Sequence, residues 1–178
     1  MQNAMPDRLP RSFYERDVLE VAPELLGKHL VRVDPAGNPS LFVITETEAY
    51  RGQEDLACHA SKGRTPRTEV MFGEGGHLYM YFIYGMYWMM NVVTGPLGVP
   101  QAVLFRGVRE ADGPGKLTRQ LRIDGDFKGE DLVTSPRIWI RESGMSPDYT
   151  AGPRVGIDYA ADPWKGKPWR FLMLDPKA

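Results

Sequence analysis

Cysteine, histidine and long apolar runs are scarce in this chain, and each scarcity excludes a class of protein. One cysteine, Cys58, makes an intrachain disulfide impossible and indicates a reducing compartment. Three histidines, widely spaced, give no metal-ligand motif, so we expect neither a metal nor another cofactor. No run reaches the roughly 18 apolar residues of a membrane span, and the N-terminus lacks the pattern of a secretory signal. We therefore expect a cytoplasmic protein without membrane contact.

The charge balance leaves the partner undecided. A net charge of -1 and a pI near 6.3 argue against nucleic acid, because phosphate binding usually leaves a basic footprint. The segment Ser61–Thr68, however, carries three cations and no acid. This segment is either a solvated polar loop or a local patch for phosphates.

Length and pattern predict one domain of the α+β class. Without repeats or low-complexity tracts, we expect a flexible N-terminal segment at 1–12 and a single domain at 13–178. Asp17 and Glu20 have the spacing of a capping box and predict a short helix. Strands are predicted at His29–Val33, Leu41–Ala49, 77–91 around a turn, Gln101–Val108, Arg137–Ile140, Arg154–Ile157 and Trp169–Met173. Because turns join most of them, we expect a curved, mostly antiparallel sheet with short helices and a protruding β-hairpin.

Two carboxylates lie on the predicted strand Leu41–Ala49. Alternation places Ile44, Glu46, Glu48 and the following Tyr50 on one face, with the two carboxylates about 7 Å apart. Such a pair could divide acid and base roles in a hydrolase, or both groups could be solvated on an outer face. The irregular segment 51–68 follows at the end of that face, and long loops in compact domains are often functional.

The run from Gly76 to Asn91 is rich in aromatic residues. Core packing is expected for Leu78, Met80 and Phe82. Tyr84 precedes the turn glycine, so it is expected to project from the hairpin tip. An exposed ring there suits a partner such as the gap between stacked bases.

Single residues outside these segments keep more than one interpretation. His59 could be a base, a stacking wall or a hydrogen-bonded loop residue, whereas Cys58 lacks the surroundings of a nucleophile. Arg106 is the only charge on an apolar strand and needs an anionic partner, such as Glu48 or a phosphate. The segment Gly113–Lys116 is either a helix start or a weak phosphate site.

Several motifs in fixed order resemble the alkyladenine (3-methyladenine) DNA glycosylase family in its bacterial form. The resemblance spans about residues 13–172. The matching segments are Leu25–Gly27, Glu46–Tyr50, Glu54–Asp55, Ala57–His59, Gly63–Arg67, Met71–Phe72, Tyr79–Met86, Asn91, Arg106, Gly113–Leu117, Gly152–Ala160 and Pro168–Phe171.

This resemblance implies a monofunctional DNA-3-methyladenine glycosylase of base-excision repair. Such an enzyme flips an alkylated, deaminated (hypoxanthine) or etheno purine out of double-stranded DNA and hydrolyses its N-glycosidic bond, leaving an abasic site. We expect a monomer that associates with the nucleoid through DNA. An alternative is a damaged-DNA-binding protein with weak or no turnover, since the segment Gly107–Asp112 is shorter than its family counterpart. A nucleoside hydrolase is a third reading.

The resemblance also assigns roles in catalysis and base recognition. Glu48 would activate the attacking water, with Arg106 beside the same water, while Glu46 would be structural. Asn91 would exclude guanine through its exocyclic amino group. The rings that would sandwich the flipped base are Tyr50, His59 and Tyr81.

Further roles concern the DNA duplex. Tyr84 would wedge into the minor groove and fill the space that the base has left. Contacts to the DNA backbone are expected from Arg64, Thr65, Arg67 and Lys116.

Overall fold

The computed structural model describes residues 8–175 and confirms the α+β class. Its helices are α1 (Arg11–Tyr14), α2 (Val18–Glu24) and α3 (Pro114–Leu121). Its strands are β1 (His29–Val33), β2 (Pro39–Tyr50), β3 (Leu78–Ile83), β4 (Tyr87–Thr94), β5 (Gln101–Val108), β6 (Ala111–Asp112), β7 (Ile138–Arg141), β8 (Tyr149–Gly152) and β9 (Arg170–Met173). Among residues 8–175, no helix is long and apolar enough to cross a bilayer.

The strands form one antiparallel sheet around the long strand β2. The main order is β3-β4-β5-β2-β1-β7, with β6 beside β5 and the pair β8–β9 joined to β2 through β9. The first half of β2 pairs with β1, and the second half pairs with β5 and β9. Every strand pair is antiparallel, which agrees with the prediction that turns join most of the strands.

Two bulges interrupt the β2–β5 ladder and redirect its side chains. The register passes from Ile44↔Val108 to Glu46↔Gly107 and then to Thr47↔Phe105, which leaves one extra residue on each strand. The extra residue on β2 reverses the alternation, so Ile44 packs in the hydrophobic core. The prediction that Ile44 shares a face with Glu46 and Glu48 is therefore wrong.

The helices pack on the core side of the sheet. Asp17 caps α2 as predicted, because its side chain accepts a hydrogen bond from the Leu19 N–H at 2.8 Å. The segment Gly113–Lys116 begins α3, which settles its secondary structure in favour of a helix start. A Cβ atom on Gly115 would lie only 2.5 Å from Cδ1 of Tyr87, so glycine permits α3 to approach the β3–β4 hairpin next to its turn.

Three local expectations differ from the structure. Phe82 is 47% exposed and packs against Trp88, whereas Leu78 and Met80 are buried as predicted. The segment Arg154–Ile157, predicted as a strand, is irregular, and the side chain of Arg154 forms a buried ion pair. The boundary at residue 13 falls inside packed structure, since Leu9 is buried. The rest of the predicted flexible segment, 1–7, lies outside the described residues.

Candidate active site

A cavity of about 500 Å³ lies beside the β3–β4 hairpin. Its size is typical of sites that enclose a small molecule or a single base. Strand β5, the start of α3 and the segments 57–59 and 155–159 complete its wall. Of the predicted site residues, those in the wall are Tyr50, His59, Tyr81, Tyr84, Asn91, Arg106 and Lys116.

The carboxylate of Glu48 lies behind this wall and is fully buried. The Tyr50 hydroxyl donates to its Oε1 at 2.9 Å, and the Val155 N–H donates to its Oε2 at 2.7 Å. Nε of Arg106 stands 3.8 Å from the same Oε2. Burial raises the pKa of Glu48, and Arg106 together with these hydrogen bonds opposes the rise. The carboxylate is thus held in one orientation, next to three cavity-lining residues.

Glu46 has a different environment from Glu48. Its Oε1 accepts from Nε of Arg106 at 3.2 Å and from Nε of Arg170 at 2.6 Å. Two guanidinium groups therefore balance its charge. A division of acid and base roles between the two carboxylates loses its support, because Glu46 is fixed as a counter-ion.

Arg106 reaches both carboxylates because it is the extra residue at the bulge of β5. Bulges next to active sites commonly redirect a side chain. The sequence shows the single charge on an apolar strand, but not the bulge that aims it.

An aromatic group surrounds His59 on one side of the cavity. The rings of His59 and Tyr81 meet edge to face at 4.6 Å, and Nδ1 of His59 lies 2.8 Å from the Tyr79 hydroxyl. Burial, with Arg67 and Lys62 nearby, lowers the pKa of His59 to about 4. The imidazole is therefore neutral at physiological pH, which excludes a role as a charged acid.

Tyr79 is a site residue that the sequence analysis did not single out. It is 3% exposed, lines the cavity and orients His59. Tyr79 and Tyr81 are two residues apart on β3 and so lie on the same face of the strand, and this spacing was the signal in the sequence. The carbonyl oxygen of Tyr79 also accepts a hydrogen bond from Nδ2 of the buried Asn91 at 3.1 Å. This contact fixes the side chain of Asn91 in the cavity wall.

The hairpin tip presents Tyr84 to solvent, as predicted. Its side chain is 87% exposed, and the Met86 N–H closes the turn on the Ile83 carbonyl. Tyr84 and Gly85 both have positive φ, at 53° and 65°, as the central residues of type I′ hairpin turns do. A tyrosine in this conformation is unusual, and such outliers often mark functional positions.

The residues predicted for the DNA backbone have three kinds of surroundings. Arg67 lies 5.5 Å from the centre of the Tyr81 ring, which places it at the cavity. Arg64 pairs with Glu69, and Lys116 pairs with Asp112, at exposed positions. Exposed pairs of this kind are weak, so either cation can change partner. Thr65 is tied to Thr68 inside its own loop, and contact with DNA remains a prediction for all four.

Two other buried residues, Cys58 and Arg154, lie near the cavity. Cys58 is buried, which raises the pKa of its thiol to about 11 and disfavours a nucleophile, as expected. Arg154 forms a buried ion pair with Asp55 directly behind the cavity wall. The pair leaves no signal in the local sequence pattern, because its members are 99 residues apart.

Comparisons with known proteins place the chain in a family. The profile of the family described as Methylpurine-DNA glycosylase (MPG) matches residues 12–177. Relatives named "Putative 3-methyladenine DNA glycosylase" occur in Legionella pneumophila (strain Corby), Methanocella arvoryzae and Wolbachia pipientis wMel, at 45%, 44% and 48% identity. The alignments cover 94%, 92% and 93% of this chain and 95%, 90% and 91% of the relatives. The chain belongs to the methylpurine-DNA glycosylase family.

Proposed function

We propose that this protein removes alkylated purines from double-stranded DNA by hydrolysing the N-glycosidic bond. The observation that carries the proposal is the buried, oriented carboxylate of Glu48 behind an aromatic cavity, in a chain of this family. The product is an abasic site.

Binding of the damaged base begins with its extrusion from the helix. Flipping costs a few kcal/mol and costs least for a weakly paired lesion, which already favours damaged bases. Stacking on aromatic side chains returns about 1–3 kcal/mol per base. Tyr50, His59 and Tyr81 supply the rings, and a cationic alkylpurine gains further from their electron-rich faces. Tyr84 occupies the space that the base has left.

The chemical step needs one activated water. Glu48 accepts a proton from the water while the water oxygen bonds to C1′ of the sugar. The bond between C1′ and the purine nitrogen breaks, and its electrons pass to the purine. A pKa raised by burial makes Glu48 a better proton acceptor near neutral pH. An alkylated purine leaves readily, so a second carboxylate is unnecessary and Glu46 remains a counter-ion.

Substrate range follows from the same cavity. Asn91, held by the Tyr79 carbonyl, crowds the cavity and disfavours the exocyclic amino group of guanine. Hypoxanthine and ethenoadenine carry no amino group at the position of the guanine amino group, so both remain candidate substrates. Neutral His59 can pair with such bases as donor or acceptor through its free ring nitrogen.

Excision assays on defined duplexes test the proposal. Purified protein is incubated with duplexes that carry 3-methyladenine, hypoxanthine or ethenoadenine, and abasic sites are cleaved with alkali. We expect release of at least one lesion, and a rate lower by about 10²–10⁴ for Glu48→Gln, as for loss of a general base. Release of no lesion by the wild type would sink the enzymatic proposal. Tight lesion binding without cleavage would favour the damage-binding alternative instead.

A further inference from the structure

We propose that Arg154 is a positioning residue for the glycosylase reaction. Through its pair with Asp55 it fixes both the backbone N–H that holds Glu48 and the ring of Tyr50 in the cavity wall. The inference rests on the proposed function and adds a residue that touches neither the base nor the water.

The pair of Arg154 and Asp55 is bidentate and closed to solvent. Nη1 lies 2.6 Å from Oδ2, Nη2 lies 2.9 Å from Oδ1, and both side chains are fully buried. Arg154 also donates to the carbonyl oxygens of Ala49 at 2.9 Å and Trp164 at 3.3 Å. One guanidinium thus ties together the end of β2, the segment after it and two parts of the C-terminal region.

The same guanidinium supports the ring of Tyr50. Its central carbon lies 4.9 Å from the centre of that ring and 5.0 Å from the ring of Trp169. Tyr50 lines the cavity, whereas Arg154 does not. The ring therefore stands between the guanidinium and the cavity, and the cation–π contact braces it from behind.

The residue after Arg154 completes the link to Glu48. The Val155 N–H donates to Oε2 of Glu48 at 2.7 Å. Strand β8 ends at Gly152, so no sheet pairing holds this part of the chain. The nearest side-chain anchor is Arg154, and a shift of its backbone moves the Val155 donor directly. The next side-chain hydrogen bond, from the Tyr159 hydroxyl to the Ala57 carbonyl, comes four residues later, after the packing of the buried Ile157.

Stability alone would not require such a pair. A well-packed apolar replacement of a buried ion pair is often as stable or more stable. A planar guanidinium, however, can serve two carboxylate oxygens, two carbonyls and two ring faces at once, which lysine cannot. The arrangement fits a demand for orientation more closely than a demand for stability.

The decisive variant is Arg154→Lys in the full chain, because it keeps the charge and loses the bidentate geometry. The matched control is Arg11→Lys, which alters another bidentate pair, with Asp131, whose members do not line the cavity. Three quantities are measured for each: the melting temperature, the affinity for a lesion duplex, and the single-turnover excision rate at saturating enzyme across pH.

We expect Arg154→Lys to lower the saturated single-turnover rate by about 10–100-fold, since displacement by an ångström can cost that much. Affinity for the lesion duplex should change less than the rate, because Arg154 is buried and acts on the bound base only through the ring of Tyr50. The acid limb of the pH profile should move to higher pH, because the displaced Val155 N–H no longer opposes the raised pKa of Glu48, while lysine keeps the positive charge. The other groups that face Glu48 are Arg106, Tyr50, Tyr81 and Tyr159, with Glu46 on the same strand and Arg170 on β9.

A rate and acid limb equal to those of Arg11→Lys would overturn the inference and leave Arg154 a structural residue. Asp55→Asn, an isosteric change, is measured in parallel so that the result does not depend on one variant folding. It should lower the saturated rate in the same way, and an unchanged rate would likewise count against the inference. Failure of the wild type to excise any lesion is a separate outcome, which concerns the proposed function.

Discussion

Replacement of Tyr84 by glycine should make the protein more stable and the enzyme slower. Tyr84 has φ of 53° and a side chain that is 87% exposed, so it gains little from packing. The left-handed conformation costs a non-glycine residue about 1–2 kcal/mol. Glycine also has greater conformational freedom in the unfolded chain, which offsets about 0.4–1 kcal/mol of this stabilisation. The net gain in the free energy of unfolding is about 0.5–1 kcal/mol, or a rise in melting temperature of about 1–4 °C.

The same replacement removes the ring that fills the gap in the base stack. Base–aromatic stacking is worth about 1–3 kcal/mol, which corresponds to a loss of about 5- to 150-fold in the population of the flipped state. The excision rate from duplex DNA should fall by that factor. Excision from a single strand should change little, because no gap remains to be filled.

Two variants separate the contributions of backbone and ring. Tyr84→Ala keeps the left-handed strain and loses the ring, so we expect slow excision with stability within about 0.5 kcal/mol of the wild type. Arg122→Gly relieves the same strain at the end of α3, where φ is also 53°, and should stabilise the protein without changing the rate. Melting is followed by calorimetry, and excision is measured in single turnovers on both substrates.

Two results would refute this reasoning, and they refute different parts of it. A duplex excision rate at the wild-type level in Tyr84→Gly would remove the wedge role. A lower melting temperature for Tyr84→Gly, with a higher one for Arg122→Gly, would show that Tyr84 makes stabilising contacts that its exposure does not reveal.

Three further predictions follow from buried titratable groups. Burial raises the pKa of Glu48 in the folded state above its value in the unfolded state, so the protein loses stability as pH rises from the unfolded to the folded pKa. Glu48→Gln should therefore raise the melting temperature at pH 7 but not at pH 3. The Tyr50 hydroxyl can turn from donor to acceptor, so the amide fits, and an equal melting temperature at pH 7 would contradict the argument. For His59 we expect ring NMR shifts that stay constant from pH 5.5 to 8 and a titration midpoint at about pH 4. A midpoint near pH 6.5 would show that the ring is not buried beside the cavity. Cys58 should resist alkylation by iodoacetamide at pH 8 until the protein unfolds, and Cys58→Ala should keep the wild-type excision rate; loss of the rate would reopen a role for the thiol.

Local patterns in the sequence predicted much of the secondary structure. The spans of β1 and β5 agree with the predicted residues, and the hairpin with Tyr84 at its tip follows from the aromatic alternation around Gly85. Such features depend on neighbours within a few residues, so alternation and turn chemistry suffice to find them. Phe82 shows where alternation stops being informative, since a two-faced apolar strand does not tell which face meets the core.

The sequence by itself determined the class of fold, the long strand with Glu46 and Glu48, and the ordered motifs that mark the family. The resemblance assigned the water to Glu48 and a structural place to Glu46, but only the tertiary structure showed how each carboxylate is held. Their surroundings depend on two bulges that move Ile44 into the core and aim Arg106, and a bulge appears only when two strands are paired. The pair of Arg154 and Asp55 was likewise invisible, because contacts between distant residues depend on how the whole chain packs and not on local pattern.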